Sequence, residues 1–201
     1  MIGLAKSTEV RISLPKTQVY RQFGWTASQR DGFDADVARL DFVNWISPHT
    51  LPAIAEGEEV KEIFVVEVSL KRRDFDTKSI ILLVKSIPQK VIYLLRFENK
   101  CMLAVYHTKL FLSPWHKEED IALTIEGLNL DTVWQNMVSL IGNFSISSEN
   151  TLSQQIKIDE EKAKIQKQID ALERQLKSSR QPRRKRELFL KIQQLKLSNQ
   201  L

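Results

Sequence analysis

The organisation of this chain follows from its last quarter, residues 150–201, NTLSQQIKIDEEKAKIQKQIDALERQLKSSRQPRRKRELFLKIQQLKLSNQL. The stretch has no glycine and a single aromatic residue, Phe189. Its apolar residues recur at a spacing that keeps one side of a helix against a partner helix. They are Ile158, Ile165, Ile169, Leu172 and Leu176, followed by Leu188, Ile192 and Leu195. Between the two runs, two serines and Pro182 end the first helix, and Pro182 is suited to begin the second. The pattern therefore predicts an antiparallel coiled-coil helical hairpin.

The basic character of the chain belongs to this hairpin. The net charge of the 201 residues is +5. Residues 150–201 hold 13 Lys/Arg against 6 Asp/Glu, a net charge of +7, and residues 1–149 hold 17 against 19, a net charge of −2. We therefore divide the chain into a nearly neutral head, residues 1–149, and a basic hairpin, residues 150–201. A neutral head argues against a nucleic-acid platform spread over the whole surface.

Composition indicates a globular protein. Apolar residues make up 42% of the chain and aromatic residues 8%, which is ordinary for a domain with a packed core. No run of about 18 apolar residues occurs and the N-terminus lacks a long apolar segment, so we expect neither a membrane span nor a signal peptide. The single cysteine, Cys101, fits a reducing cytoplasm and, inside a strand, is expected to be a buried, inert thiol.

The first half of the head predicts strands and short helices. We expect a strand at residues 10–14, a short helix after Pro15, a helix at residues 28–40 and a strand at residues 41–46. The strongest strand pattern spans residues 60–70. One of its faces, Phe64, Val66, Val68 and Leu70, is expected to be core. The other face is mixed, with Ile63 and Val65 partly covered.

The second half of the head is also predicted to contain both strands and helices. We expect a helix at residues 77–86 capped by Asp74 or Asp76, a hairpin of strands 91–97 and 101–106, a strand at residues 121–125 and a helix at residues 131–141. The inward residues of that last helix are predicted to be Val133, Trp134, Met137 and Leu140. This order predicts an α+β head with a mostly antiparallel mixed sheet and helices on one face, followed by the hairpin.

Several short motifs resemble a known bacterial and archaeal family, domain of unknown function 4391. They are Leu14-Pro-Lys16, Ser47-Pro-His-Thr-Leu51, Gly57-Glu-Glu-Val-Lys-Glu-Ile63, Leu70-Lys71, Ile87-Pro88 and Glu126-Gly-Leu-Asn-Leu-Asp131. The family also ends in a charged helical hairpin, and the resemblance spans nearly the whole chain. It implies no reaction. Because members are often encoded beside helicases and DNA methyltransferases of restriction and phage-defence loci, it implies such a larger subunit as partner.

The sequence offers little for metal or cofactor chemistry. His49, His107 and His116 form no close pair, and the acidic residues Glu118, Glu119 and Asp120 are expected to be a solvated loop. No glycine-rich phosphate loop and no serine-hydrolase elbow occurs. We therefore expect no metal and no cofactor.

One catalytic alternative stays open, a magnesium-dependent nuclease built on Glu62, Glu67 and Lys71. Such an enzyme needs acidic groups to hold Mg²⁺ and a lysine near the attacked phosphate. Glu67 and Lys71 are four residues apart on one strand and should share a face. The common spacing of this nuclease class, Glu-x-Lys, is absent, and a structural role for the two side chains is the other interpretation.

The clearest functional signal is the basic tip of the hairpin. Its cations are Lys177, Arg180, Arg183, Arg184, Lys185 and Arg186, with Glu187 just beyond. Clustered Arg and Lys suit a phosphate backbone, although an acidic protein surface or plain solvent would suit them as well. No aromatic residue is interleaved among them, so weak sequence specificity is expected.

Our leading hypothesis is a non-catalytic interaction protein. The head would dock on a larger subunit of a DNA-processing or antiviral-defence assembly, and the tip would touch DNA or that subunit. Homodimerisation through the hairpin and a regulatory, antitoxin-like role remain alternatives.

Overall fold

A mixed sheet organises the N-terminal part of the structure, a computed structural model that describes residues 2–146, 151–179 and 181–198. The strands are β1 (Glu9–Ser13), β2 (Val37–Ile46), β3 (Ile63–Leu70), β4 (Lys90–Phe97), β5 (Lys100–Tyr106), β6 (Leu110–Leu112) and β7 (His116–Lys117). The helices are α1 (Lys16–Gln22), α2 (Ala27–Asp36), α3 (Thr77–Ser86), α4 (Leu130–Gly142), α5 (Leu152–Ser178) and α6 (Pro182–Ser198). Two compact units result, Met1–Ser145 and Ile146–Leu201, and the names head (residues 1–149) and hairpin (residues 150–201) are kept as defined above.

The strand order is β1-β2-β3-β4-β5-β6, and β7 also pairs with β5. β3 and β4 run parallel because α3 connects them, and the other pairings between these strands are antiparallel. In the second unit, α5 and α6 pack against each other as a hairpin. The predicted fold class is thereby confirmed, while coiled-coil geometry in the hairpin stays a prediction.

Both faces of the central strands are buried. Val66 and Val68 of β3 share one core cluster with residues of α1, α2 and α3. Ile63 and Val65, on the opposite face, are fully buried rather than partly covered as expected. The buried side chains of α4 lie outside the first cluster, and α4 lies against β5 and β6. The first half of β3 is continuously apolar because both of its faces are covered, whereas Glu67 and Ser69 alternate with buried apolar residues in the second half.

After α2, pairing with β3 determines the structure of residues 37–40, although the spacing of their apolar residues predicted a helix. The helix predicted for residues 28–40 ends at Asp36, and β2 begins at Val37, opposite Leu70 of β3. Similarly, the strand expected from residue 60 begins only at Ile63. Tertiary pairing outweighs the intrinsic preference of a few residues, so the helix prediction for residues 37–40 was wrong.

The strand predicted at residues 121–125 was also wrong. Ile121 and Leu123 are buried, which explains the alternation, but the segment forms no ladder. Instead, the backbone N–H of Leu123 donates to the carbonyl of Ile2 at 2.7 Å. In α4, Leu140 is 52% exposed although it was expected to point inward. The buried face of α4 runs through Met137, Val138 and Ile141, as a repeat of 3.6 residues requires.

Asp36 ties the end of α2 to the start of α3. Its side chain is fully buried, and its carboxylate is 2.5 Å from the Arg72 guanidinium. It also accepts from the backbone N–H of Asp76 at 3.0 Å and from the Ser79 hydroxyl at 3.1 Å. Burial alone would raise the pKa of Asp36, but these hydrogen bonds outweigh it and hold the pKa below its ordinary value.

The two longest motifs of the head meet at Asp131, the second residue of α4. Its carboxylate accepts from the backbone N–H groups of Glu58 at 2.6 Å and Val60 at 2.8 Å. A Cβ on Gly57 would lie 2.2 Å from the Asp131 Oδ1 atom, so only glycine fits there. The contact anchors the loop before β3 on the first turn of α4.

We expect Gly57→Ala to destabilise the head by about 1–3 kcal/mol, because Asp131 must leave backbone donors that stay partly buried. Gly32→Ala is the matched control. Gly32 lies inside α2 with open space around its Cβ position, so this change should stabilise by about 0.5–1 kcal/mol. Urea unfolding followed by tryptophan fluorescence checks both, since the four tryptophans lie in the head. Equal shifts in the two variants would contradict the contact described.

Candidate nucleic-acid interface

The hairpin is formed by a long helix and a shorter one. α5 has 27 residues and begins with a capping box, in which Thr151 and Gln154 bond each other's backbone N–H groups. At 1.5 Å per residue, α5 is about 40 Å long. α6 begins with Pro182, whose fixed φ suits the first helical position. Within the described ranges, no helix is both long and apolar enough to span a membrane.

The predicted pairing residues lie on the more protected side of both helices. Ile169, Leu188 and Ile192 are buried. The others are half-buried: Ile158, Ile165, Leu172, Leu176 and Leu195. An ion pair of 2.9 Å between Lys196 and Glu173 joins α6 to α5. The heptad pattern did not include Leu152 and Ile156, which are also buried.

The basic turn, defined here as Lys177 and residues 183–186, lies at the junction of α5 and α6. Its five cations are Lys177, Arg183, Arg184, Lys185 and Arg186, and all of them are exposed. Arg183 is 94% exposed and its guanidinium is 3.5 Å from Glu187. For the other four, no ion pair is found within the part of the chain that the structure describes. Arg180, the sixth predicted cation, lies outside the described residues.

The clustered positive charges of the basic turn destabilise the start of α6 when no anion is bound. Residues 183–186 occupy the first turn of α6, where no acidic residue lies. The first turn of a helix carries a partial positive charge, so each cation there costs about 0.3–1 kcal/mol. Neighbouring like charges add repulsion. A bound phosphate would relieve both terms, and guanidinium groups can hold it with two parallel hydrogen bonds.

The three residues of the nuclease alternative contact three different sets of partners. Glu62 accepts from the Trp45 indole at 3.0 Å, and Glu67 pairs with Arg96 at 3.1 Å. The Lys71 amine donates to the Asp34 carbonyl of α2 at 2.5 Å. Within the described residues, no hydrogen bond or ion pair joins Glu62, Glu67 and Lys71 to one another, and the nuclease alternative stays a prediction.

Arg96 forms a charge cluster that sequence analysis missed. Its guanidinium bonds Glu67 and Glu118, so a strand residue and a loop residue share one cation. On the neighbouring strand β2, Asp41 lies opposite Glu67 and pairs with Arg39 at 2.6 Å. Strand register brings these groups together, and local sequence carries no signal of it. Each carboxylate is paired with a guanidinium group, although Arg96 serves two of them, and this pairing indicates a structural role.

The remaining candidates show no assembled site. In the described residues, no group of three His, Cys, Asp or Glu side chains could hold a metal ion. His49 packs near the Trp45 ring at 5.9 Å, and His116 is exposed on β7. Cys101 is buried as predicted, and burial raises the pKa of its thiol.

The head also has an apolar groove of about 370 Å³ between β1, α1 and the segment after α3. Phe42, Phe64 and Trp45 line it, with one carboxylate, Glu62, and three glutamines. Among the described residues that line it, none is a cation. Because nucleic-acid backbone binding depends on positive charge and the one charged side chain here is a carboxylate, the groove is unsuited to a nucleic-acid backbone.

Comparison with known proteins gives a family but no reaction. A family model described as domain of unknown function 4391 matches residues 2–198. Searches of curated proteins and of solved structures each found no match. The matched range includes both the sheet and the basic turn.

We expect Glu118→Gln to destabilise the head by about 1 kcal/mol at pH 7, because Arg96 loses one charged partner. Glu119→Gln, whose exposed partner Lys117 is 3.7 Å away, should change stability by less than about 0.5 kcal/mol. The hydrogen bond from Arg96 lowers the pKa of Glu118. Because the pKa of Glu118 in the folded protein lies below the unfolded-state value of about 4.3, the stabilisation is complete above that value and is lost as pH falls through the folded pKa. The difference between wild type and Glu118→Gln should therefore shrink as pH falls below about 4.3, and a difference that stays constant across the acid range would contradict the ion pair.

Proposed function

Since the chain belongs to the family described as domain of unknown function 4391, which carries no assigned reaction, we propose a function from its charge distribution. The protein is a non-catalytic interaction subunit whose basic turn contacts the phosphate backbone of nucleic acid. One observation carries the proposal: four consecutive cations, residues 183–186, are exposed on the first turn of α6, and Glu187 is their one acidic partner in the described residues.

The contact is electrostatic in origin. Each cation that meets a phosphate releases condensed counterions, so affinity arises without any shaped pocket. The ion pair of Arg183 with Glu187 is no obstacle, because an exposed pair of this kind contributes about 0–1 kcal/mol. A phosphate can displace Glu187 at small cost.

The head contributes in another way. Its charges at Asp36 and Arg96 are engaged in ion pairs within the head, and its groove is apolar. We assign to the head the docking on a larger protein. By resemblance to the family, whose members are often encoded beside helicases and DNA methyltransferases, that partner is such a subunit of a restriction or phage-defence assembly in the cytoplasm.

Self-association through the hairpin is the weaker alternative. The hairpin carries a net charge of +7, so two hairpins placed side by side would repel each other. A partner of opposite charge avoids this cost. We therefore propose a different molecule, and not a second copy, as the occupant of the basic turn.

We expect the full chain to bind a fluorescent DNA duplex with an affinity that falls steeply with salt. Replacing Arg183, Arg184, Lys185 and Arg186 by Ala should lower the affinity at least about tenfold and reduce the slope of log K against log salt by about 3. The matched control replaces four exposed cations of the head, Lys6, Arg21, Lys78 and Lys85, and should change little. Fluorescence anisotropy at several salt concentrations measures both.

Equal duplex affinity in wild type and in the variant of residues 183–186 would contradict the proposal. A loss in the head variant as large as that in the hairpin variant would contradict the assignment to the basic turn. Circular dichroism should confirm that both variants keep their helices.

A further inference from the structure

The side of α6 that faces away from α5 is unusually apolar for an exposed surface. We call it the outer face and define it by Arg183, Arg186, Phe189, Leu190 and Leu197. Phe189 is 51% exposed, Leu190 52% and Leu197 67%. At 100° per residue, Arg183, Arg186, Leu190 and Leu197 lie opposite the buried Leu188 and Ile192. Phe189 lies on the flank of this side, next to Arg186. Among the described residues, the other large exposed hydrophobic side chains are Ile12, Leu128 and Leu140, each on a separate segment of the head.

Positive charge and apolar surface are continuous on this face. Arg186 precedes Phe189 by three residues, so the two side chains are neighbours on the helix surface. Arg183 lies one turn before Arg186, and its guanidinium is 3.5 Å from Glu187 on the other flank. The exposed aromatic ring therefore borders one guanidinium group, that of Arg186, and Arg183 lies one helical turn farther toward the basic turn.

The combination of arginines and exposed apolar side chains favours one kind of ligand for the outer face. A second hairpin is disfavoured by its own positive charge. A duplex would engage the arginines but leave Phe189 and Leu190 in water, because its bases are stacked inside. A single strand offers both phosphates for the arginines and unstacked bases for the ring. Base stacking on an aromatic side chain tolerates any base, in agreement with the weak specificity expected of the basic turn.

We propose that the outer face of α6 binds single-stranded nucleic acid. Phe189 stacks on a base, Arg186 and Arg183 hold successive phosphates toward the basic turn, and Leu190 and Leu197 cover the apolar edge of the strand. This inference rests on the proposed function, since it assigns the preferred substrate class of the same basic hairpin.

The test compares a labelled oligothymidine strand with a labelled duplex of equal length, using the full chain and fluorescence anisotropy. Wild type should bind the single strand more tightly than the duplex. Phe189→Leu keeps an apolar side chain but removes the ring, so single-strand affinity should fall about tenfold while duplex affinity stays constant. Phe189→Trp should retain the preference. Leu128→Ala, a fully comparable loss of exposed apolar surface in the head, should leave both affinities unchanged.

Equal single-strand affinity in wild type and Phe189→Leu would overturn the inference. The proposed function would survive that result if the variant of residues 183–186 still lost duplex binding. If wild type bound neither probe, both proposals would fail together. Binding to vesicles of phosphatidylcholine and phosphatidylserine without binding of oligothymidine would assign the outer face to an anionic membrane and overturn the inference as well.

Discussion

A charge inside the head is stable only when a partner of opposite charge or a set of N–H donors meets it. Asp36 meets Arg72 and the start of α3, Asp131 meets the backbone N–H groups before β3, and Arg96 meets Glu67 and Glu118. Each contact joins segments far apart in sequence. Together they position α3, α4 and the β7 loop on the sheet. The requirement is strictest for Asp36, because an unmatched charge at this fully buried position would cost several kcal/mol.

The hairpin follows the opposite rule. Its apolar residues Ile169, Leu188 and Ile192 are buried, while the cations of the basic turn stay in water and are nearly unmatched. Water and salt screen the repulsion between the clustered cations, and a bound anion would replace that repulsion by attraction. The contrast supports the proposed division of roles: the clusters at Asp36 and Arg96 hold the fold of the head together, and the consecutive cations of the hairpin are available for a partner.

Local patterns predicted what depends on neighbouring residues. Helix α3 has the predicted bounds, with Asp76 as its cap, and β4 and β5 form the predicted hairpin. The cations of the basic turn could be named because they are consecutive. Local sequence patterns failed to predict structure where contacts between segments distant in sequence determine it. Val37 joins β2 because Leu70 is opposite, and Arg96 meets Glu118 only through the folded loop. The exposure of Phe189 likewise requires knowing which side of α6 meets α5.

The central claim is that nucleic acid contacts the hairpin and not the head. The most direct measurement is an NMR titration of the isotope-labelled full chain with oligonucleotide, observing backbone amides and arginine side-chain N–H groups. The account predicts that the largest shifts fall on Lys177 and residues 183–190, with the sheet residues unmoved. Largest shifts around Phe42 and Phe64, or on the arginines of the sheet, would contradict it.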